Sequence, residues 1–549
     1  MTRREVAGWG LALLLAWVVA YPLVLVLVGA VRGAAGWTLV PLRRFGQEPQ
    51  EWAALRGSLV ISFASVALAA AVGVPLAFLF GRREFPGRRL LAGLVALTAV
   101  LPPLVGVLAF LFLFGERGFL AHLVTAVTGA PEAPWRLEGA GAILLVHAYS
   151  MYVYFYLFTR AGLAGLDGAQ LDAAASLGAS RGRILRRIVF PALRPALAGA
   201  ALLTFMTSLG SFSAPYLFGG GYRVMTTQIV STRLNGDEAL AMVQTLALTV
   251  AALLALGAFR RLEGGDVARG GSKGAAPARA GVPAGWRRAA LVTGAWAVAL
   301  VMLLPPLTLL LVSFVPAGTW TVEALPPAYT VDNYTALVRE PERLRPLLNS
   351  LWMAAAATLA SVTLAVAAGQ LAVRRRVTAG RLIEGLVALP WAVPGTVFAI
   401  ALATAFGVHA PWAGRVVLVG TLWILPLAYL VRNLPITARS ILAGYRGLDP
   451  AHEESAASLG ASRWHTLRRV TLPLLRPAIA AGAALAFATA LGDFVTSVLL
   501  YTYRTRPISM EILGSLRQAD VGVAAAYGVA LMLVSALAFR LGAERSTAG

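Results

Sequence analysis

About twelve apolar blocks, each near 20 residues long, punctuate the 549-residue sequence. A helix of that length crosses a hydrocarbon core of about 30 Å, so the blocks predict membrane spans and take the place of soluble domains in setting the architecture. They lie near 9–31, 58–80, 90–114, 139–158, 195–218 and 239–259, then near 289–315, 350–373, 386–406, 416–431, 477–500 and 521–539. Charged residues make up 13% of the chain, against about 25% in soluble domains, which agrees with lipid as the main solvent. The first block is longer than a signal-peptide core and predicts an uncleaved anchor.

The net charge of +22 comes from 47 basic residues, of which Lys273 is the one lysine. Such a charge invites a nucleic-acid reading, but basic and aromatic residues do not interleave on any soluble-looking segment. The arginines gather instead in alternate gaps between spans: Arg3 and Arg4; Arg82, Arg83, Arg88 and Arg89; Arg181, Arg183, Arg186 and Arg187; Arg374, Arg375 and Arg376; Arg463, Arg468 and Arg469. By the positive-inside rule these gaps face the cytoplasm, and an even number of spans returns both termini there. The chain contains no cysteine, which removes disulfide frameworks, thiolate metal sites and cysteine nucleophiles.

Internal similarity divides the sequence. Asp172 to Ser180, reading Asp-Ala-Ala-Ala-Ser-Leu-Gly-Ala-Ser, returns as Glu-Ser-Ala-Ala-Ser-Leu-Gly-Ala-Ser at Glu454 to Ser462, an offset of 282 positions (454 − 172). At that offset Arg186, Pro191, Leu193, Arg194 and Pro195 meet Arg468, Pro473, Leu475, Arg476 and Pro477, and Phe205, Gly210 and Phe212 meet Phe487, Gly492 and Phe494. Farther upstream, Ser58 and Leu59 match Ser350 and Leu351 at an offset of 292. Two repeats of six spans therefore run in the same orientation. Residues 1–259 form the first, with a basic loop at about 160–195, and residues 289–549 the second, with a loop at about 432–476. Gly, Ala and Arg dominate 260–288, which predicts a flexible cytoplasmic linker.

Loops normally drift while spans hold their pattern, so the best-matched segment lying in a loop implies that something reads it. The residues predict a short helix led by Asp172 or Glu454, a turn at Gly178 or Gly460, and a second helix broken at Pro191 or Pro473. Arginines alone satisfy membrane topology in any order, but topology does not account for the repeated acid, alanines and glycine. Both segments resemble the cytoplasmic EAA loop of permeases in binding-protein-dependent ABC importers. Asp172, Ala173, Ala174, Gly178, Ile188 and Pro191 carry the first match, with Asp for Glu and Phe190 for Leu; Glu454, Ala456, Gly460, Leu472 and Pro473 carry the second, with Ser455 for Ala and Val470 for Ile.

The resemblance implies an all-α integral membrane protein of the type I importer permease fold, with about twelve transmembrane helices as two parallel six-helix repeats, in a bacterial inner membrane. It implies an ABC ATPase dimer docked on the two loops from the cytoplasm and an extracytoplasmic solute-binding protein on the other side. ATP and magnesium then belong to the partner, with no cofactor, catalytic residue or metal on this chain. The sequence agrees, since a P-loop needs Gly-Lys-Ser/Thr and the lysine sits in Gly-Ser-Lys-Gly. Fusion of two halves in one chain resembles the ferric-iron and thiamine permease group, and the stretches at 491–501 and 506–512 look more like its ferric-iron members. Phosphonate, polyamine and sulfate permeases share much of the pattern.

Within the fifth span of the second repeat, Asp493 is a carboxylate at a depth where it costs about 2.5–3.5 kcal/mol unless it faces protein or water. Asp493 and its counterpart Ser211 are the expected pathway residues, with a structural partner for an arginine as the alternative role of the acid. Beyond them, 219–223 and 501–506 are expected on the outer side, where a binding protein docks. His122, His409, His452 and His465 show no metal-ligand spacing. A major-facilitator transporter is the main rival, because 81–89 superficially resembles that group's basic loop. Gly81, however, stands where that loop wants an acid, and the rival has no use for the paired acid-to-glycine segments. A membrane enzyme is less favoured, since acids and histidines do not converge within the spans.

Overall fold

The computed structural model describes residues 2–33, 36–96, 101–263, 279–282, 284–320, 323, 325–407 and 416–547. The first half contains α1 (Arg3–Ala30), α2 (Pro49–Arg82), α3 (Arg88–Ala96), α4 (Pro103–Phe114), α5 (Gly139–Ala164), α6 (Gly168–Ser176), α7 (Arg181–Leu209), α8 (Ser213–Phe218), α9 (Met225–Leu234) and α10 (Glu238–Glu263). The second repeats the series as α11 (Trp286–Val312), α12 (Pro341–Arg374), α13 (Gly380–Ala392), α14 (Gly395–Ala405), α15 (Ile424–Gly447), α16 (Ala451–Ser458), α17 (Arg463–Leu491), α18 (Val495–Leu500), α19 (Ile508–Arg517) and α20 (Val521–Thr547). Each of these labelled helices thus has its counterpart ten labels on, while Phe119–Thr128, which follows α4, has none among the described residues.

Among the described residues ten helices are long and apolar enough to cross a membrane, and α13 with α14, bent by 114° at their junction, makes an eleventh. The expected blocks differ from the observed helices in three places. The block expected at 416–431 is helical only from Ile424 and runs on to Gly447; Arg432, Arg439 and Arg446 leave α15 less apolar than the ten. The blocks at 195–218 and 477–500 are not continuous, because α7 ends at Leu209 and α17 at Leu491 before short α8 and α18 begin. The block at 90–114 is likewise divided between α3 and α4.

Helices pair alike in the two halves: α2 with α5 and α7, α12 with α15 and α17, α7 with α10, and α17 with α20. The first span of each half, however, packs on the other half. Helix α1 lies against α13 and α14, with Trp17 edge-on to Phe406 at 5.2 Å, and α11 lies against α3 and α4. Tyr149 of α5 donates to the carbonyl of Met302 in α11 at 2.8 Å. Most of the expected linker falls outside the described residues, but its end is ordered as a strand: Ala280–Gly281 pairs in parallel with Arg83–Glu84. In the matching place the Glu5 carboxylate accepts from the Thr378 N–H at 3.1 Å and hydroxyl at 2.6 Å.

Candidate functional site: a seam of broken helices and two exposed loops

The break between α7 and α8 frees backbone groups that lipid cannot satisfy, and the same device repairs it in both halves. Thr226 at the start of α9 donates its hydroxyl to the Ser211 carbonyl at 2.7 Å, and Ser509 at the start of α19 donates to the Asp493 carbonyl at 2.8 Å. Ser58 and Ser350, matched in the sequence, each accept the amide that opens the next helix, Met225 N–H at 2.7 Å and Ile508 N–H at 2.8 Å. Facing each break stands the proline that starts α4 or α14 in the opposite half. Pro102 and Pro394 share one conformation (φ −57, ψ 140 and φ −58, ψ 147). Pro394 lies against Gly210, and Pro102 crowds Gly492 so closely that a Cβ there would sit 2.5 Å from its own. The equivalent Phe212 and Phe494 meet across the seam with ring centroids 5.4 Å apart.

Three of these breaks, at 101–103, 210–213 and 492–495, line a cavity of about 170 Å³ between the halves. Its wall holds both expected pathway residues, Ser211 and Asp493, together with His147 and Ser150 from α5, Arg432 from α15 and Thr489 from α17. At the 282-residue offset Ser150 answers to Arg432 and Ser211 to Asp493, so one wall carries hydroxyls where the other carries an ion pair. The Asp493 carboxylate binds the Arg432 guanidinium, the Thr496 hydroxyl and, at 2.9 Å, the Thr496 N–H, which caps α18 and fixes the break. Asp493 thus takes the structural role considered for it, as the partner of an arginine, and lies on the cavity wall.

His147 escaped the sequence reading, although an ionisable residue inside an apolar span is the same signal that singled out Asp493. It is buried, with Nδ1 2.9 Å from Ser65 Oγ and Nε2 2.9 Å from Ser211 Oγ. Ser65 gives its proton to the Ile61 carbonyl and Ser208 gives its own to Ser65. Ser208 Oγ also stands 3.2 Å from His147 Nδ1, so serine hydroxyls face both ring nitrogens. His122 is a buried structural residue whose Nδ1 meets the Glu323 carbonyl at 2.9 Å, and His409 lies outside the described residues.

The two EAA-like loops take one shape. Helix α6 begins earlier than expected, at Gly168, capped by Asp167 accepting from Ala169 N–H at 3.0 Å, so Asp172 sits in its second turn. Helix α16 is capped likewise by Asp449, accepting from Ala451 N–H at 2.9 Å. Gly178 (φ +75) and Gly460 (φ +78) end them in left-handed turns, and Ala179 N–H reaches back to the Ala174 carbonyl as Ala461 does to Ala456, both at 3.0 Å. Ala174 and Ala456 are half-buried against the protein; Asp172, Ala173 and Glu454 point outward, and Leu177 and Leu459 at the tips are each 89% exposed. Pro191 and Pro473 do not break the second helix. A π-helical turn, Leu185–Val189 or Leu467–Thr471, precedes each one, and the chain runs on into α7 and α17 because a proline in the first turn after such a widening forfeits no donor that the helix needs. Arg374 ties α16 down through Glu453 at 2.9 Å, while burial and then the nearby Arg4 and Arg463 lower the Arg375 guanidinium below its usual range.

Two like-oriented halves of broken helices, interleaved through their first spans and closed around a shared cavity, define a pseudosymmetric membrane permease. Comparison with known proteins places it further. Residues 73–262 and 361–543, one stretch in each half, match the model of the binding-protein-dependent transport system inner membrane component, and the chain belongs to that family. It is 30% identical to a probable ABC transporter permease of Sinorhizobium fredii over 84% of this chain and 82% of that one. It is 27% identical to the ferric transport system permease of Actinobacillus pleuropneumoniae over 80% of this chain and 63% of that one, and 28% identical to the thiamine transport system permease of Escherichia coli over 87% of each. Among solved structures, a bacterial ABC transporter that imports alginate aligns with 48% of this chain and 96% of its own at 20% identity and a TM-score of 0.38.

Proposed function

We propose that this chain is the transmembrane subunit of an ATP-driven importer of ferric iron, and that its solute passes through the cavity between Ser211 and Asp493. One observation carries the pathway: the two repeat-equivalent positions, distant in sequence, line a single cavity at the seam of the halves, where a parallel-repeat transporter alternates its access. The lean toward iron rests on the likeness of 491–501 and 506–512 to ferric permeases and on the ferric relatives, beside which a thiamine relative of equal similarity stands as the second reading. Asp172, Ala173, Gly178 and Pro191, with Glu454, Gly460 and Pro473, shape the loops on which a separate ATPase pair docks. Leu177 and Leu459 are the projecting side chains that enter its grooves. A solute-binding protein meets the opposite face near 219–223 and 501–506, and both termini lie in the cytoplasm.

The test is reconstitution of the chain in proteoliposomes with the ATPase and binding protein encoded beside it. ATP-dependent uptake of radiolabelled iron that falls at least about tenfold in Asp493→Asn, a loss of about 1.4 kcal/mol or more in transition-state stabilisation, is the expected result. Uptake of thiamine without iron overturns the substrate, and full uptake by a well-inserted Asp493→Asn overturns the pathway.

A further inference from the structure

Arg432 and Asp493 are the charged residues of the described cavity wall, and they are not equally presented to it. The Asp493 side chain is 2% exposed, with its oxygens taken up by Arg432 and Thr496, whereas the Arg432 side chain is 37% exposed. One nitrogen of the guanidinium, Nη1, holds the carboxylate; Nε and Nη2 have no partner among the described residues, and the group lies over Gly395 at the start of α14, with 3.1 Å left for a Cβ. The ion pair is thus a dipole with its positive end toward the solute. Seven residues on, about two turns and 10 Å along the same face of α15, Arg439 lines a second cavity of about 130 Å³ with Arg260 and stacks on Trp391 at 4.9 Å. Arg446 follows after seven more, paired with Glu384 at 2.6 Å. The first half places Ser150, Leu157 and Ala164 at the equivalent positions, so topology does not demand this row.

We propose that the solute presents an anionic oxygen group to Arg432 and is handed along the arginine row of α15: it crosses as an oxyanion, or as a metal ion enclosed in an anionic chelate, and not as a bare cation. The proposal rests on the pathway reading above and narrows its substrate, since thiamine and polyamines are cations.

The absence of cysteine makes the test direct. In the assembled importer, Ser211→Cys is reacted with a negatively and a positively charged methanethiosulfonate, each rate normalised to that of a small thiol in water. The anionic reagent is expected to be faster by about tenfold, as in a cleft that concentrates one sign of charge; Arg432→Gln abolishes that preference and Arg432→Lys keeps it, separating charge from folding. A cationic preference with Arg432 intact overturns the proposal while leaving the pathway standing. A thiol that neither reagent reaches in any nucleotide state brings down the pathway reading itself. Uptake of double-labelled ferric citrate, of labelled phosphate and of labelled thiamine separates the sources: both ferric citrate labels entering together mark a chelate, citrate or phosphate entering without metal marks a free oxyanion, and iron or thiamine entering with no anion overturns the proposal.

Discussion

Gly210 and Gly492 hold equivalent places at the two helix breaks, yet their surroundings differ by about an ångström. A methyl group at Gly210 finds Pro394 at 3.7 Å, ordinary contact, whereas at Gly492 it meets Pro102 at 2.5 Å. Gly492→Ala should therefore lower the stability of the detergent-solubilised protein by about 1–3 kcal/mol, and Gly210→Ala by little, in thermal or denaturant unfolding. Equal effects at the two positions would refute the crossing as described. At this scale the sequence disclosed the acid but not its company. Asp493 is conspicuous because an apolar span surrounds it, and Ser211 follows from the repeat. Arg432 hides at the end of an apolar block whose true helix begins later and runs deeper, and His147 has no counterpart to flag it, since Tyr429 stands at its equivalent position.

The shape of the EAA-like loops was the most legible, since a left-handed turn demands glycine and the two copies stand in register. What the residues did not reveal is the π turn that lets Pro191 and Pro473 ride inside continuous helices; proline in sequence signals a stop, and only the backbone shows the widening that absorbs it. Because nothing lies within 4 Å of a Cβ at Gly178 or Gly460, substitution there strains the backbone without a clash. Valine at either position costs about 1–2 kcal/mol in the left-handed region and should re-route the loop. The double variant Gly178→Val with Gly460→Val is expected to insert and purify normally while losing ATP-dependent uptake by at least about tenfold and shedding the ATPase in pull-down. Retention of both activities would remove the loops from the mechanism.

Across the whole molecule, two halves and their orientation could be read from the offsets, because register over so many positions survives only in a repeat. The exchange of first spans could not, since packing between halves leaves no period in either one. That exchange predicts that a chain cut within 264–278 and produced as two co-expressed fragments still assembles: α1 on α14 and α11 on α4 hold each fragment to the other, and the two should co-purify through a tag on one. Fragments that separate would make the covalent tether responsible for assembly. The walls of the central cavity give the tether a different purpose. A complex built from two copies of either half would receive two ion pairs or none. Covalent joining guarantees that every transporter in the membrane receives one wall with an ion pair and one with hydroxyls, a composition that random pairing of free halves would deliver only part of the time.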